Sequence, residues 1–257
     1  KVLRNNNYNL PHAHYSYCGY LAGLTSNLPT VVSFLGSDIQ VSNFEKLIIR
    51  FFARYRWKSI IVKTQLMKQA LGIQKAQVVP NGINMEIFKP IERNIAKEKV
   101  GFNKDKKQLL FLASTQRHEK NYNLALSAFN LLNNKSAELV VIDKAEHKMV
   151  PYYLNASNVV ILSSKWEGSP NVVKEAMACN IPVVSTPVGD VEWLFGNLDG
   201  YYISQNNAND FSEKMKQALL FEKATEGRKR IINLGLDSKS VAKKIINIYK
   251  SLVKNAD

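Results

Sequence analysis

Short runs rich in valine and isoleucine recur along the chain, separated by longer stretches in which apolar residues return every third or fourth position. The runs fall at 31–35, 59–62, 77–79, 109–113, 139–142, 159–162, 183–185 and 201–203. Each is apolar at successive positions, so both faces are expected to be buried, as in parallel strands covered by helices on either side. Residues 121–132 and 172–179 carry helical spacing, and 238–254 sets Val241, Ile245, Ile248, Tyr249 and Leu252 on one helical face. Alternating β and α segments predict an α/β fold of open, doubly wound parallel sheets.

Lys, Glu and Asn dominate around 90–107 before a new strand begins, which predicts a linker at 91–107. Upstream lie three or four strands, few for a complete doubly wound domain, and downstream lie five. The reading is a partial first domain at 1–90, cut at its amino end, a second at 108–237, and a terminal helix at 238–257 packing back toward the first.

The chain has 257 residues, enough for two cores, and its 46% hydrophobic and 22% charged content is that of an ordinary globular protein. No apolar run reaches the roughly 18 residues that a membrane-spanning helix needs. The polar first residues do not read as a signal peptide. Cys18 and Cys179 stand far apart without metal-ligand spacing, which excludes a disulfide framework and favours a reducing, cytoplasmic setting. The formal net charge is +14. Much of it crowds 45–69, where Lys46, Arg50, Arg54, Arg56, Lys58, Lys63 and Lys68 interleave with apolar and aromatic residues. Such a stretch reads as a basic amphipathic helix resting on the inner, anionic face of a membrane, or as a solvated helix face over a buried stripe. A nucleic-acid footprint ranks third, because no helix-turn-helix or zinc-finger pattern accompanies it.

The strongest local signal follows the run at 159–162. There a loop carries Glu167 and Gly168, and a helix is expected with Ser169 as N-cap and Pro170 at its first position. The free amides around Asn171 and Val172 then face the carboxyl edge of the sheet, a ready site for phosphate where open α/β sheets bind ligands. Glu167 and Glu175 flank that site and suit the hydroxyls of a sugar and a ribose. An isolated pair of glutamates at this spacing is more often two solvated charges; the Gly-Ser-Pro between them and the strand on each side tip the reading to function. Asn180 tolerates the left-handed conformation that ends a helix.

This stretch resembles the signature of glycosyltransferase family 4, Glu-Gly-x-Pro-x4-Glu-Ala-x-Ala followed by x-Pro-Val-Val, whose members have the two-Rossmann-domain GT-B architecture. Three further segments are similar to that family. Pro80-Asn-Gly-Ile-Asn-Met-Glu-Ile-Phe88 resembles its hinge, with Asn81-Gly82 suited to a tight turn and Asn84 in place of the usual Asp. Arg117 and Lys120 resemble the pair that clamps the donor diphosphate, although Gln116 stands where a Gly is common and the spacing is short. His12-Ala-His14 and Gly36-Ser-Asp38 resemble strand-end motifs at the floor of the cleft, with Leu35 where many members carry His.

The resemblance implies roles residue by residue. Glu167 positions the donor sugar, with Arg117, Lys120 and His14 as its catalytic companions. Glu175 binds the ribose, and Gly168, Ser169, Pro170, Asn171, Val172, Gly36 and Asp38 complete the substrate contacts. It implies retaining transfer of a hexosyl group from a nucleotide-diphosphate sugar to a glycan or lipid-linked acceptor, as in cell-envelope polysaccharide synthesis. The family's amino-terminal strand and glycine-rich loop are expected before Lys1. No Asp-x-Asp, dinucleotide fingerprint or P-loop occurs, so no metal or cofactor beyond the donor is expected. The competing readings are a non-catalytic nucleotide-sugar-binding fragment, a basic nucleic-acid-binding α/β protein, and a sugar-nucleotide epimerase. No nucleic-acid partner is expected under the preferred one.

Overall fold

The computed structural model describes residues 8–36 and 40–253. In chain order the elements are β1 (His12–His14), α1 (Ser16–Thr25), β2 (Thr30–Ser33), α2 (Asn43–Tyr55), β3 (Trp57–Val62), α3 (Gln65–Leu71), β4 (Gln77–Val78), α4 (Arg93–Val100), β5 (Lys107–Phe111), α5 (Tyr122–Leu132), β6 (Ala137–Val141), α6 (Val150–Ala156) and β7 (Val159–Leu162). There follow α7 (Asn171–Ala178), β8 (Val183–Ser185), α8 (Val191–Phe195), β9 (Tyr201–Ile203), α9 (Ala208–Leu220), α10 (Gly227–Asn233) and α11 (Ser238–Val253). The chain divides into two units, one of residues 1–82 with 239–257 and one of 83–238. No helix among the described residues is long and apolar enough to cross a membrane.

Unit 1 is a parallel sheet in the order β1-β2-β3-β4. Successive strand residues serve opposite faces. Val32, Ile60 and Val62 pack with Ile49, Ala53, Met67 and Leu71 of α2 and α3. Val31, Ile61 and Val79 pack instead with Val241 and Ile248 of α11. Helix α1 lies close over Trp57 because it presents glycines there: a Cβ at Gly19 would stand 3.0 Å from both the Trp57 ring and Val32. That contact lets the Trp57 indole donate to the Gly19 carbonyl at 2.9 Å. Ser42 and Thr64 start α2 and α3 by accepting the amides of Glu45 and Met67.

The basic run at 45–69 is therefore not one amphipathic helix. It is α2, then β3, then the first turns of α3, and Lys63 at the end of β3 is buried. The β-branched pair Ile60-Ile61 and Trp57 have the packing that a strand supplies, and tertiary burial overrides the helical spacing of the charges.

A half-buried contact in unit 1 titrates. The His12 ring meets the Tyr249 hydroxyl through Nδ1 and Ser33 Oγ at 2.8 Å through Nε2, and stacks on His14. Burial, then the neighbouring His14 and Lys63, lower its pKa from 6.5 to about 4. A depressed folded-state pKa means that the stabilisation is complete above pH 6.5 and is lost as pH falls toward 4. The loss amounts to about 1–2 kcal/mol after allowance for solvent at this half-buried ring. Urea unfolding between these pH values should show that slope, and His12→Gln should flatten it; an unchanged slope in the variant refutes the assignment.

Unit 2 is a parallel sheet in the order β6-β5-β7-β8-β9. Its strands are covered by α6, α7, α8 and α10 on one face and by α5 and α9 on the other, with Leu110, Val160 and Val183 serving the first face and Leu109, Val159 and Val184 the second. The stretch 91–107, expected to be a linker, instead belongs to this unit and holds α4. Its polar composition conceals the reason: Lys97 is buried, and its ammonium donates to the carbonyls of Asn103, Lys104 and Lys106 at 3.3, 3.3 and 2.7 Å. Asn155 pins the approach, donating to the Lys89 carbonyl and accepting from the Ile91 amide. The boundary lies earlier than expected, between Gly82 and Ile83. The turn expected at Asn81-Gly82 sits at 84–87, where Asn84 Oδ1 accepts the amides of Glu86 and Ile87. An asparagine oxygen makes the same two bonds as the more usual aspartate, so that departure leaves the local fold intact. Arg228 secures the segment by donating to the carbonyls of Met85, Phe88 and Ala178.

Candidate functional site

After β5 the chain goes to β6 on one side of the sheet, and β7 then pairs with β5 on the other. The carboxyl ends of β5 and β7 thus bracket a switch in strand order, where loops diverge and leave a crevice. An open cavity of about 430 Å3 lies there, lined by Leu112, Ala113, Ser114, Arg117 and Lys120 after β5, by Asp143 after β6, and by Glu167, Pro170, Asn171 and Val172 after β7.

The two main loops are tied to each other. Ser163 Oγ donates to the carbonyls of Lys120 and Asn121, both at 3.0 Å, and the Lys165 amide donates to the Glu119 carbonyl at 2.8 Å. Asn121, at φ 51, turns the chain from a short 3-10 turn into α5. The outcome is an ion pair: Lys120 Nζ meets Glu167 Oε1 at 2.6 Å, with both side chains largely buried. Ser164 Oγ donates to the same oxygen at 2.8 Å. Arg117 stands at the rim, held by Glu119 Oε1 at 2.5 Å.

Helix α7 begins beside this pair. Its N-cap is Pro170 and its first residue Asn171, so it starts one residue later than the sequence suggests, and no side chain caps it. Ser169 is drawn away from capping because its hydroxyl accepts a bond from Lys174 Nζ at 3.0 Å. The first-turn amides of α7 are left without intrahelical partners and carry the positive end of the helix dipole.

Lys174 is fully buried, a placement that sequence reasoning missed. Near it lies Asp190, also buried, whose carboxylate oxygens have no hydrogen bond of good geometry. Burial pushes the Asp190 carboxyl up, and Ser169 and the Lys174 ammonium restrain the rise. Next to it Gly189, at φ 59, presses on the preceding loop: a Cβ there would come within 2.2 Å of the Gly168 carbonyl. The Glu167–Pro170 loop is thereby seated on a buried cation and a bare backbone. The sequence signal available was a lysine inside a helix whose neighbours Val173, Ala176 and Met177 are all apolar.

The structure brings Arg117, Lys120, Glu167, Pro170, Asn171 and Val172 to one cavity. Gly168 and Ser169 form the loop behind it rather than its lining. Glu175 lies a turn further along α7, off the cavity lining; burial raises its carboxyl, offset by His147 and Lys174. His14 is exposed at the end of β1 in unit 1, stacked on His12. Gly36 is buried with φ 134, a conformation that favours glycine. Asp38 lies outside the described residues. Ser114 and Ser164 join the site without having been singled out, and Asp143 joins it from the loop after β6.

Residues 134–235 match the family model for glycosyl transferases group 1. The chain is 26% identical over 231 residues to the putative teichuronic acid biosynthesis glycosyltransferase TuaC of Bacillus subtilis strain 168, covering 79% of this chain and 59% of that protein. It is 22% identical over 307 aligned residues to the UDP-Gal:alpha-D-GlcNAc-diphosphoundecaprenol alpha-1,3-galactosyltransferase of Escherichia coli, covering 99% of this chain and 78% of that one. Sucrose-phosphate synthase from Thermosynechococcus elongatus superposes with a TM-score of 0.85 at 16% identity, over 99% of this chain and 76% of the synthase, a likeness of fold.

Proposed function

We propose that this chain, whose residues 134–235 match the family model for glycosyl transferases group 1 and whose fold is of the GT-B type, binds a nucleotide-diphosphate sugar at the switch-point cavity of unit 2 and transfers the hexosyl group to a glycan or lipid-linked acceptor. The observation that carries the reading is the Lys120–Glu167 pair at 2.6 Å, set beside the uncapped start of α7. A diphosphate needs fixed positive charge, and Lys120, Arg117 and the α7 amides offer it together. A donor engaging Lys120 releases Glu167 Oε1 to accept hydrogen bonds from sugar hydroxyls.

In the transfer, the bond between the anomeric carbon and the diphosphate oxygen breaks and its electron pair stays with the diphosphate. Charge therefore grows on that oxygen, where prearranged cations and dipoles lower the barrier most. The acceptor hydroxyl bonds to the anomeric carbon and gives up its proton to the departing diphosphate. We assign retention of configuration, membership of family 4 and metal independence on the motif likeness, and the cations already present can neutralise the leaving group. His14, Gly36 and Asp38 are assigned to the acceptor side, and Glu175 to the ribose. A uridine nucleotide is the preferred donor, since the Escherichia coli relative is named for UDP-Gal. We assign the protein to the cytoplasm, peripheral to the membrane, as the setting that a lipid-linked acceptor calls for.

Calorimetric titration with UDP-, GDP- and ADP-sugars tests the donor site directly. One class should bind in the micromolar range, with Glu167→Ala and Arg117→Ala weakening it tenfold or more, about 1.4 kcal/mol each. No binding by any nucleotide sugar, alongside tight salt-sensitive binding to duplex DNA, would sink this reading.

A further inference from the structure

Charge is divided very unevenly between the units. Unit 1 holds fifteen basic and three acidic residues, a net +12, whereas unit 2 holds twenty and eighteen, a net +2. Among the described residues of unit 1 the one acidic side chain is Glu45.

The same unit turns apolar side chains outward. In α1 the buried residues are Ser16, Gly19 and Gly23, while Tyr17, Leu21 and Leu24 are exposed. In α2 the buried residues are Ile49 and Ala53, and Phe44, Leu47, Phe51 and Tyr55 face outward. All seven are between 56% and 72% exposed. At about 100° per residue, the four on α2 fall within an arc of about 80° directly opposite Ile49 and Ala53. Small residues inside and large apolar ones outside reverse the order that water imposes.

The two helices adjoin along their length. Tyr17 bonds Glu45 at one end, Tyr20 meets Phe52 at 4.9 Å in the middle, and Gly23 lies against Arg56 at the other. Lys46, Arg50 and Arg54 follow one another at four-residue spacing on the flank of α2 turned away from α1. On that flank Arg50, Arg54 and Lys75 border an open cavity of about 650 Å3.

We infer that the outer face of α1 and α2 is a membrane-docking surface, its apolar side chains entering the interfacial layer of an anionic bilayer and its basic flank meeting the lipid phosphates. Neither signal suffices alone: apolar contact and cationic attraction together give stable peripheral binding. The inference deepens the lipid-linked acceptor reading by naming the surface that meets the bilayer. It depends on a different measurement from the nucleotide-sugar titration, so either can fail without the other.

Flotation with vesicles supplies the test. The protein should float with vesicles of phosphatidylglycerol and phosphatidylcholine, remain behind with phosphatidylcholine alone, and detach as salt shortens the screening length from about 10 Å to about 3 Å. Leu21→Glu with Phe51→Glu should lower partitioning at least about tenfold, and Lys46→Glu with Arg54→Glu should abolish the preference for anionic lipid. Both variants should keep wild-type nucleotide-sugar affinity, which reports an intact fold. Cys18 is exposed on α1 and Cys179 is buried, so a polarity-sensitive dye on Cys18 should shift to the blue when anionic vesicles are added. Wild-type protein that ignores anionic vesicles overturns the inference. So does a dimer, seen by light scattering and lost in the Leu21→Glu, Phe51→Glu variant, whose face proves closed to lipid.

Discussion

Replacing Lys120 by alanine is expected to lower kcat/KM for the donor by about 100- to 1,000-fold, about 3–4 kcal/mol of lost transition-state stabilisation. Two effects act in the same direction. The variant loses the ammonium nearest the site, and it leaves Glu167, now unpaired and largely buried, facing an incoming diphosphate of like charge. Lys120→Gln restores the reach of the side chain but not its charge, so most of the loss should persist. Glu167→Gln should retain donor binding better than it retains kcat, because an amide still engages Ser164 while its interaction with sugar hydroxyls is weaker. Steady-state kinetics with the preferred nucleotide sugar separates these cases. Lys120→Ala with wild-type kcat/KM would remove the cavity from consideration as the donor site.

Substituting Lys174 by alanine is expected to destabilise unit 2 by about 3–5 kcal/mol, the cost of leaving a buried charge without its counterpart. Lys174 has no solvent exposure, and its removal strands Asp190 and deprives Ser169 of a donor. Combining Lys174→Met with Asp190→Leu should recover much of that loss, since a matched apolar pair needs no hydration. Urea unfolding of the single and double variants measures both. The double variant should keep a raised donor KM even where stability returns, because the Glu167–Pro170 loop no longer has Ser169 anchored beneath it. A single variant within about 0.5 kcal/mol of wild type, the ordinary range of surface changes, would show that the buried cluster is not structural.

Periodicity announced the α/β class, the strand positions and the terminal helix, because strands buried on both faces leave an unbroken apolar signature that few other contexts produce. The loop from Ser163 to Pro170 was legible for a different reason: a strand end, glycine and proline constrain backbone direction whatever surrounds them. What the sequence hid were the buried lysines. Lys63, Lys97 and Lys174 all look like surface residues, yet all three are buried; nearby loop carbonyls receive the Lys97 ammonium and the Ser169 hydroxyl that of Lys174. Misreading Lys97 turned α4 into a linker, and overlooking Lys174 assigned Ser169 to a cap. The Lys120–Glu167 pair was half legible: both residues were singled out, but their meeting depends on the order in which β5 and β7 join the sheet.

The contribution of α11 to unit 1 has a consequence for biosynthesis. Val31, Ile61 and Val79 are made before unit 2, yet the Val241 and Ile248 that cover them are made after it. On the ribosome the intervening unit is contiguous and can close first, while one side of the earlier sheet stays wet until residues 241–248 have been made. Shortening the chain before residue 239 should therefore yield an intact second unit attached to a sticky, protease-sensitive first one.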